Sequence, residues 1–149
     1  MKLSSRVRYG VRALVELASM ESETPVLLET VASRQGISRK YLDAIFARLK
    51  AGGLLRSSRG VGGGFVLAKA ADQVTLAEIY QALEGPIQLA DCLSEHHGPG
   101  CGRTDLCPTI EVWSKLSGLM REYLESVTLA HLVEKYRNRV ADGTGMFYI

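Results

Sequence analysis

Three cysteines fall within sixteen residues of this 149-residue chain, at Cys92, Cys101 and Cys107, and no other residues in it are better equipped for chemistry. Their spacing is Cys-x8-Cys-x5-Cys. The same stretch holds His96, His97 and glycines or prolines at 98, 99, 100, 102 and 108. Thiolates are soft ligands for iron and zinc. A segment this rich in glycine and proline has little hydrogen-bonded structure of its own, so three thiolates can converge from it. Spacing alone leaves three states open: an iron–sulfur cluster, a structural zinc in a Cys3His site, and unligated thiols, which run against the preference of free cysteine for burial. A cysteine enzyme is disfavoured. His96 and His97 are near Cys92 in sequence, but nothing resembles an oriented nucleophile–base pair, and His131 reads as a surface or packing residue. The chain is expected not to be an enzyme.

The stretch beginning Met1-Lys2-Leu3-Ser4-Ser5-Arg6 lacks the apolar run and small-residue cleavage site of a secretory signal, and no apolar run approaches the roughly 18 residues that span a bilayer. A cytoplasmic chain is the expectation, and there an odd number of clustered cysteines points to metal or thiol chemistry rather than a disulfide framework. Net charge is +2, but its distribution is uneven. Residues 1–70 carry 12 Lys and Arg against 5 Asp and Glu, whereas residues 71–149 carry 6 against 11. A basic first half suggests contact with a polyanion.

The elements that must position these groups follow from periodicity. Val7, Val11, Leu14, Val15, Leu17 and Ala18 recur at helical spacing over residues 5–20, with Ser4 or Ser5 as N-cap. A short helix over 28–35 puts Leu28, Val31 and Ala32 inward and stops at Gly36. After that tight turn, Ser38 caps a third helix running to about Ala51. Its inward stripe is Leu42, Ile45, Phe46 and Leu49, and Arg39, Lys40, Asp43 and Lys50 face outward. Two strand-like runs, 54–56 and 65–67, flank the glycine-rich stretch 57–64 and predict a hairpin. Thr75 starts a helix that ends at Gly85-Pro86. Residues 86–108 show no period. A long helix follows from about Pro108, carrying Ile110, Trp113, Leu116, Leu119, Met120, Tyr123 and Leu124, with Glu122 and Glu125 on its other face. A last short helix starts at the Thr128 cap, and Thr75-Leu76-Ala77 echoes Thr128-Leu129-Ala130. The expected class is mostly α with a small β-hairpin: a winged helix-turn-helix plus a long C-terminal dimerisation helix. The divisions are a DNA-binding domain over 1–85, a cysteine loop over 86–107, helices over 108–140 and a mobile tail over 141–149. The glycine run does not complete either nucleotide-binding pattern, which argues against nucleotide hydrolysis.

The chain resembles the Rrf-type winged-helix transcriptional regulators of bacteria, the family of IscR, NsrR and CymR, and is closest in pattern to its iron–sulfur members. The resemblance rests on Met1-Lys2-Leu3-Ser4, Arg8-Tyr9-Gly10, Gln35-Gly36-Ile37-Ser38, Tyr41-Leu42, Phe46-Ala47-Arg48-Leu49, Gly53-Leu54 and above all Arg59-Gly60-Val61-Gly62-Gly63-Gly64-Phe65. It spans nearly the whole chain and is densest over the first 85 residues. It implies a homodimer on a double-stranded DNA operator, joined through the long helix. Ser38, Arg39, Lys40 and Tyr41 sit where a recognition helix enters the major groove. Arg59 and Gly60 sit at the wing tip, where arginine suits the narrow minor groove. Arg6 and Arg8 are placed for flanking phosphates. Lys40 stands where the iron–sulfur members carry a small polar residue.

The resemblance also favours an iron–sulfur cluster on Cys92, Cys101 and Cys107, with 2Fe-2S and 4Fe-4S both open and zinc as the alternative. The family's histidine ligand, three residues beyond the last cysteine, is Ile110 here. Where other members use an acidic or histidine ligand on the partner's first helix, this chain has Arg8 and Arg12 among the corresponding positions. His96, His97, Asp105, Glu111 and a partner residue remain as fourth-ligand candidates. The function implied is a regulator sensing cluster status, redox or nitric oxide. A thiol- or zinc-based repressor is the alternative within the class, and a small iron–sulfur electron carrier the alternative outside it, though a carrier needs no basic helix-turn-helix.

Overall fold

The computed structural model describes residues 2–21, 24–93 and 101–143. Its elements run α1 (Ser5–Ser19), α2 (Leu28–Gln35), α3 (Arg39–Ala51), β1 (Leu55–Ser58), β2 (Gly64–Leu67), α4 (Leu76–Glu84), α5 (Ile110–Ser126) and α6 (Leu129–Ala141), with short 3-10 turns at Ala71–Gln73, Asp91–Leu93 and Thr104–Leu106. This is the expected class: helices with one small antiparallel hairpin. The strands begin and end within a residue or two of expectation and pair Leu55 with Leu67 and Ser58 with Gly64.

The core forms where the apolar stripes of α1, α2, α3 and α4 meet. Leu14, Val31, Leu42, Phe46, Leu49, Ile79 and Leu83 are all fully buried. At roughly 1.5–3 kcal/mol for each large side chain, that shared burial outweighs any single polar contact. Ser4 caps α1 by accepting from the Val7 amide, and Ser38 caps α3 by accepting from the Tyr41 amide. Thr75 and Glu78 form a reciprocal capping box at the start of α4. Burial pushes the Glu78 carboxyl up, but hydrogen bonds from Lys69 and the Thr75 amide hold it below its ordinary value.

Three features differ from the expectations. Pro108 lies in a turn ahead of α5, whose first residue is Ile110. Val26, in the connection between α1 and α2, exchanges backbone hydrogen bonds with Phe65 at 2.9 and 2.8 Å and so adds a one-residue third strand to the hairpin, beside β2. The last helix also belongs to the first domain's core: α6 packs chiefly on α1, and its Leu129 and Val133 are buried in the same cluster. A boundary at residue 85 therefore cuts through one core. The echoing segments meet. Thr75 and Thr128 form an antiparallel bridge, in which the Leu76 amide donates to Val127 and the Leu129 amide to Val74, both at 2.8 Å. Of the tail, residues 144–149 lie outside the described residues.

Beneath the core stripe is a charged group that the periodicity reading passes over. Glu16, on α1, is 3% exposed. Its carboxylate accepts from Arg34 Nη1 at 3.1 Å, Gln35 Nε2 at 2.7 Å and the Tyr136 hydroxyl at 3.0 Å. Burial, together with the hydrogen bond and charge of Glu16, raises the Tyr136 phenol above its ordinary value. Removing the acceptor strands donors from α2 and α6. Glu16→Ala should therefore cost about 2–3 kcal/mol of unfolding free energy. A loss below 1 kcal/mol in a denaturant titration would show that water replaces the carboxylate.

Candidate nucleic-acid interface and cysteine segment

The α2–α3 connection depends on Gly36, whose left-handed backbone (φ 62°) closes α2 and turns the chain directly into the Ser38 cap. The outward first turn of α3 then presents Ser38, Arg39 and Lys40, all exposed, with Tyr41 half-buried behind them. Tyr41 is fixed from α1. Its hydroxyl shares a hydrogen bond with Ser5 Oγ at 3.0 Å, and its ring meets Tyr9 edge-on at 5.9 Å. Arg8 is exposed, with its guanidinium 5.8 Å from the centre of the Tyr9 ring. Arg39 forms a weak pair with Glu29 at 3.5 Å, both exposed. Lys40 has no ion-pair or hydrogen-bond partner among the described residues. Asp43 is exposed one turn further along and lines an open cleft with Leu27, Arg39 and Phe65 at the root of the wing.

The wing is tied to α3 at both its strands. Lys50 Nζ donates to Ser57 Oγ at 2.5 Å, and Phe46 packs edge-on against Phe65 at 5.0 Å. Its tip carries few side chains. Arg59 and Val61 project among glycines, Val61 fully exposed, and the Gly63 amide closes the turn on the Gly60 carbonyl at 2.9 Å. A Cβ on Gly63 would stand 2.5 Å from the Ser58 carbonyl oxygen and 2.9 Å from that of Gly60, both backbone atoms that cannot swing aside. Arg59 has no partner among the described residues.

Arg6 is placed differently from the other cations. Its Nη1 donates to the Leu83 carbonyl at 3.2 Å and lies 3.5 Å from Glu84 Oε1, at the end of α4.

The cysteine segment leaves α4 at Gly85 and returns at α5. Cys92 is half-buried in a 3-10 turn packed near α5, Cys101 is exposed, and Cys107 is half-buried, with its Sγ 3.4 Å from the Thr109 hydroxyl. Hydrogen bonds from the Thr109 hydroxyl and amide hold the Cys107 thiol below its ordinary value. All three thiols are free, so the donor chemistry fits a thiolate-bound metal or cluster. Among the described residues no three His, Cys, Asp or Glu side chains are close enough to hold a metal ion. His96 and His97 lie outside the described residues; Asp105 and Glu111 are exposed.

α5 departs from every other helix. Only Ser117 is buried on it, its Oγ accepting from the Leu89 amide at 3.1 Å. Trp113, Leu116, Leu119 and Tyr123 repeat at helical spacing and are exposed, Tyr123 at 69%. Glu122 and Glu125 are exposed too, as expected.

A helix-turn-helix with a glycine-rich wing, backed by cations on its outer turn, defines a winged-helix DNA-binding regulator. Comparison with known proteins agrees. Residues 3–135 match the Rrf2 family, described as "Iron-dependent Transcriptional regulator". The chain is 38% identical over 133 residues to the HTH-type transcriptional regulator IscR of Erwinia tasmaniensis, covering 89% of this chain and 79% of that one. Among solved structures it is similar to CymR, the global cysteine regulator of B. subtilis (32% identity, TM-score 0.72, 91% of this chain and 98% of that one), and to T. potens IscR (31%, 0.72, 100% and 94%). The chain belongs to the Rrf2 family. It is a transcriptional regulator, not an enzyme. Among the described residues no helix is long and apolar enough to cross a membrane.

The wing geometry makes a specific prediction. Gly63→Ala should open the tip turn and weaken duplex binding about tenfold or more, while the melting temperature moves by less than about 3 °C because the tip touches little of the core. Unchanged affinity in a fluorescence anisotropy titration would show that the wing conformation is not used.

Proposed function

We propose that this chain is a homodimeric regulator that reports iron–sulfur cluster status to a DNA operator. Its DNA contacts are Ser38, Arg39, Lys40 and Tyr41 in the major groove, Arg59 and Gly60 at the wing tip, and Arg8 on the flanking backbone. Arg6 belongs to the same basic rim but is held by Glu84. Hydroxyl and amide groups suit phosphate and base edges, Lys40 suits a phosphate or guanine, and Arg59 suits the minor groove. Asp43 beside them disfavours approach of phosphate and of base acceptors. The working divisions are a reading head over 1–85, completed by α6, a sensing segment over 86–107, and the α5 arm.

Cys92, Cys101 and Cys107 would hold the cluster. When bound, it supplies a group that responds to oxidants, to nitric oxide and to iron supply. The observation that carries this reading is where the cysteines sit. All three lie on the single segment that joins α4, packed against the recognition helix, to α5, the helix with an unburied apolar stripe. Ligation through these three cysteines would set the pose of α5. In a dimer built on α5, that pose sets the distance between recognition helices, which read half-sites roughly 34–36 Å apart.

Two experiments test the proposal. Anaerobically purified protein should contain stoichiometric iron and acid-labile sulfide with visible charge-transfer absorption. All of these should vanish in the variant with serine at positions 92, 101 and 107, which should also change operator affinity. Zinc, or no metal with full operator binding, leaves the regulator standing and removes the cluster. For the dimer, Leu119→Glu places a charge in the stripe and should shift the sedimentation coefficient from dimer to monomer; a dimer that persists would place the interface elsewhere.

A further inference from the structure

The end of α4 gathers polar groups from two other helices. Glu84 Oε1 accepts from the Ser4 hydroxyl at 2.5 Å and lies 3.5 Å from Arg6 Nη1. The Leu83 carbonyl accepts from Arg6 at 3.2 Å and from Arg48, near the end of α3, at 3.4 Å. A helix C-terminus carries partial negative charge from its unpaired carbonyls. With the Glu84 carboxylate added, this turn presents to two arginines and a hydroxyl much what a backbone phosphate presents: an anionic oxygen beside further acceptors. The groups it holds are on the reading side of the molecule. Ser5, next to Arg6, touches the hydroxyl of Tyr41 on the recognition helix, and Arg8 is exposed one residue beyond Val7.

The Arg6–Glu84 pair is also poised rather than sealed. The two side chains retain 38% and 27% of their exposure, so water and salt reach them and the pairing is worth little in isolation. A long guanidinium side chain held this loosely at the rim of a DNA-binding surface can exchange one anion for another. Glu84 fixes which anion it has in the free protein. Ser4 orients that carboxylate while also capping α1.

We propose that Glu84 is a specificity-determining residue: it withholds Arg6 from the DNA backbone and so lowers affinity for duplexes that lack the operator. This rests on the DNA-binding reading above. One cation fewer on phosphate reduces the sequence-independent part of binding, while contacts to base edges are untouched, so discrimination rises. The position adds a regulatory sense. Glu84 is followed directly by Gly85-Pro86 and the cysteine segment, so any movement of that segment that displaces the carboxylate releases Arg6.

The test is the salt dependence of binding. Glu84→Gln keeps the shape and an acceptor for Ser4 but removes the charge. On a random-sequence duplex, a plot of log affinity against log salt should steepen by about 0.9, the increment for one added phosphate contact. The ratio of operator to random-sequence affinity should fall. The Arg6→Ala/Glu84→Gln chain should return to the wild-type slope, which a merely structural role for Glu84 would not produce. Thermal melts of each variant establish that it is folded. An unchanged slope in Glu84→Gln overturns the proposal. So does a steeper slope that survives removal of Arg6, or a flatter slope than wild type in Arg6→Ala alone, which would mean that Arg6 already sits on phosphate. A wild-type chain with no salt-dependent duplex binding would instead overturn the DNA-binding reading beneath it.

Discussion

The arrangement of the reading head depends on a buried carboxylate. Putting Glu16 at 3% exposure is costly unless every lone pair that loses water gains a donor. Its donors come from separate parts of the chain: Arg34 and Gln35 at the end of α2, Tyr136 on the last helix. Gln35 passes the constraint on, since Arg12 donates to both its side-chain and its backbone oxygen, at 3.1 and 2.8 Å. The residue after Gln35 is Gly36, where the chain turns into the recognition helix. An apolar residue at position 16 could fill the same space, but it would define neither the rotation of α2 about its axis nor the seat of α6. The apolar core supplies most of the stabilisation. The carboxylate selects one of the many ways in which amphipathic helices can pack.

Local chemistry was well marked in the sequence and non-local pairing was not. The stripe Leu42, Ile45, Phe46, Leu49 is buried as its spacing requires, and the Gly36 and Ser38 signals mark the turn because each acts on its own few residues. Thr75 and Thr128 cap helices for the same reason. Glu16 escaped because an acidic residue in the run Ala13-Leu14-Val15-Glu16-Leu17-Ala18 reads as the solvent face until its partners, up to 120 residues away, are known. The Val26 rung escaped because one residue has no period. Arg6 read as a phosphate ligand on charge and position, and only the fold shows the carboxylate that competes for it.

The cysteine segment marks a different limit. Its donors are plain from residue type, and among its described residues only short 3-10 turns interrupt the irregular backbone that its lack of period led one to expect. The assembly of ligands, however, is a property of the filled site, and the described residues stop on either side of 94–100. α5 lies between these cases. Periodicity showed an apolar stripe there but could not say whether it faces its own core, and the structure leaves it outward.

The rung between Thr75 and Thr128 has an architectural consequence. One threonine starts α4 and the other starts α6, and these two helix starts are stitched to each other. The cysteine segment and α5 form a detour that leaves at Gly85, the far end of α4, and returns beside the start of that same helix, so its return point is anchored independently of its contents. Such a detour can be lengthened, re-liganded or re-surfaced without unthreading the core around α1. A scaffold of this kind lets the sensing module diverge while the head that touches DNA keeps its shape.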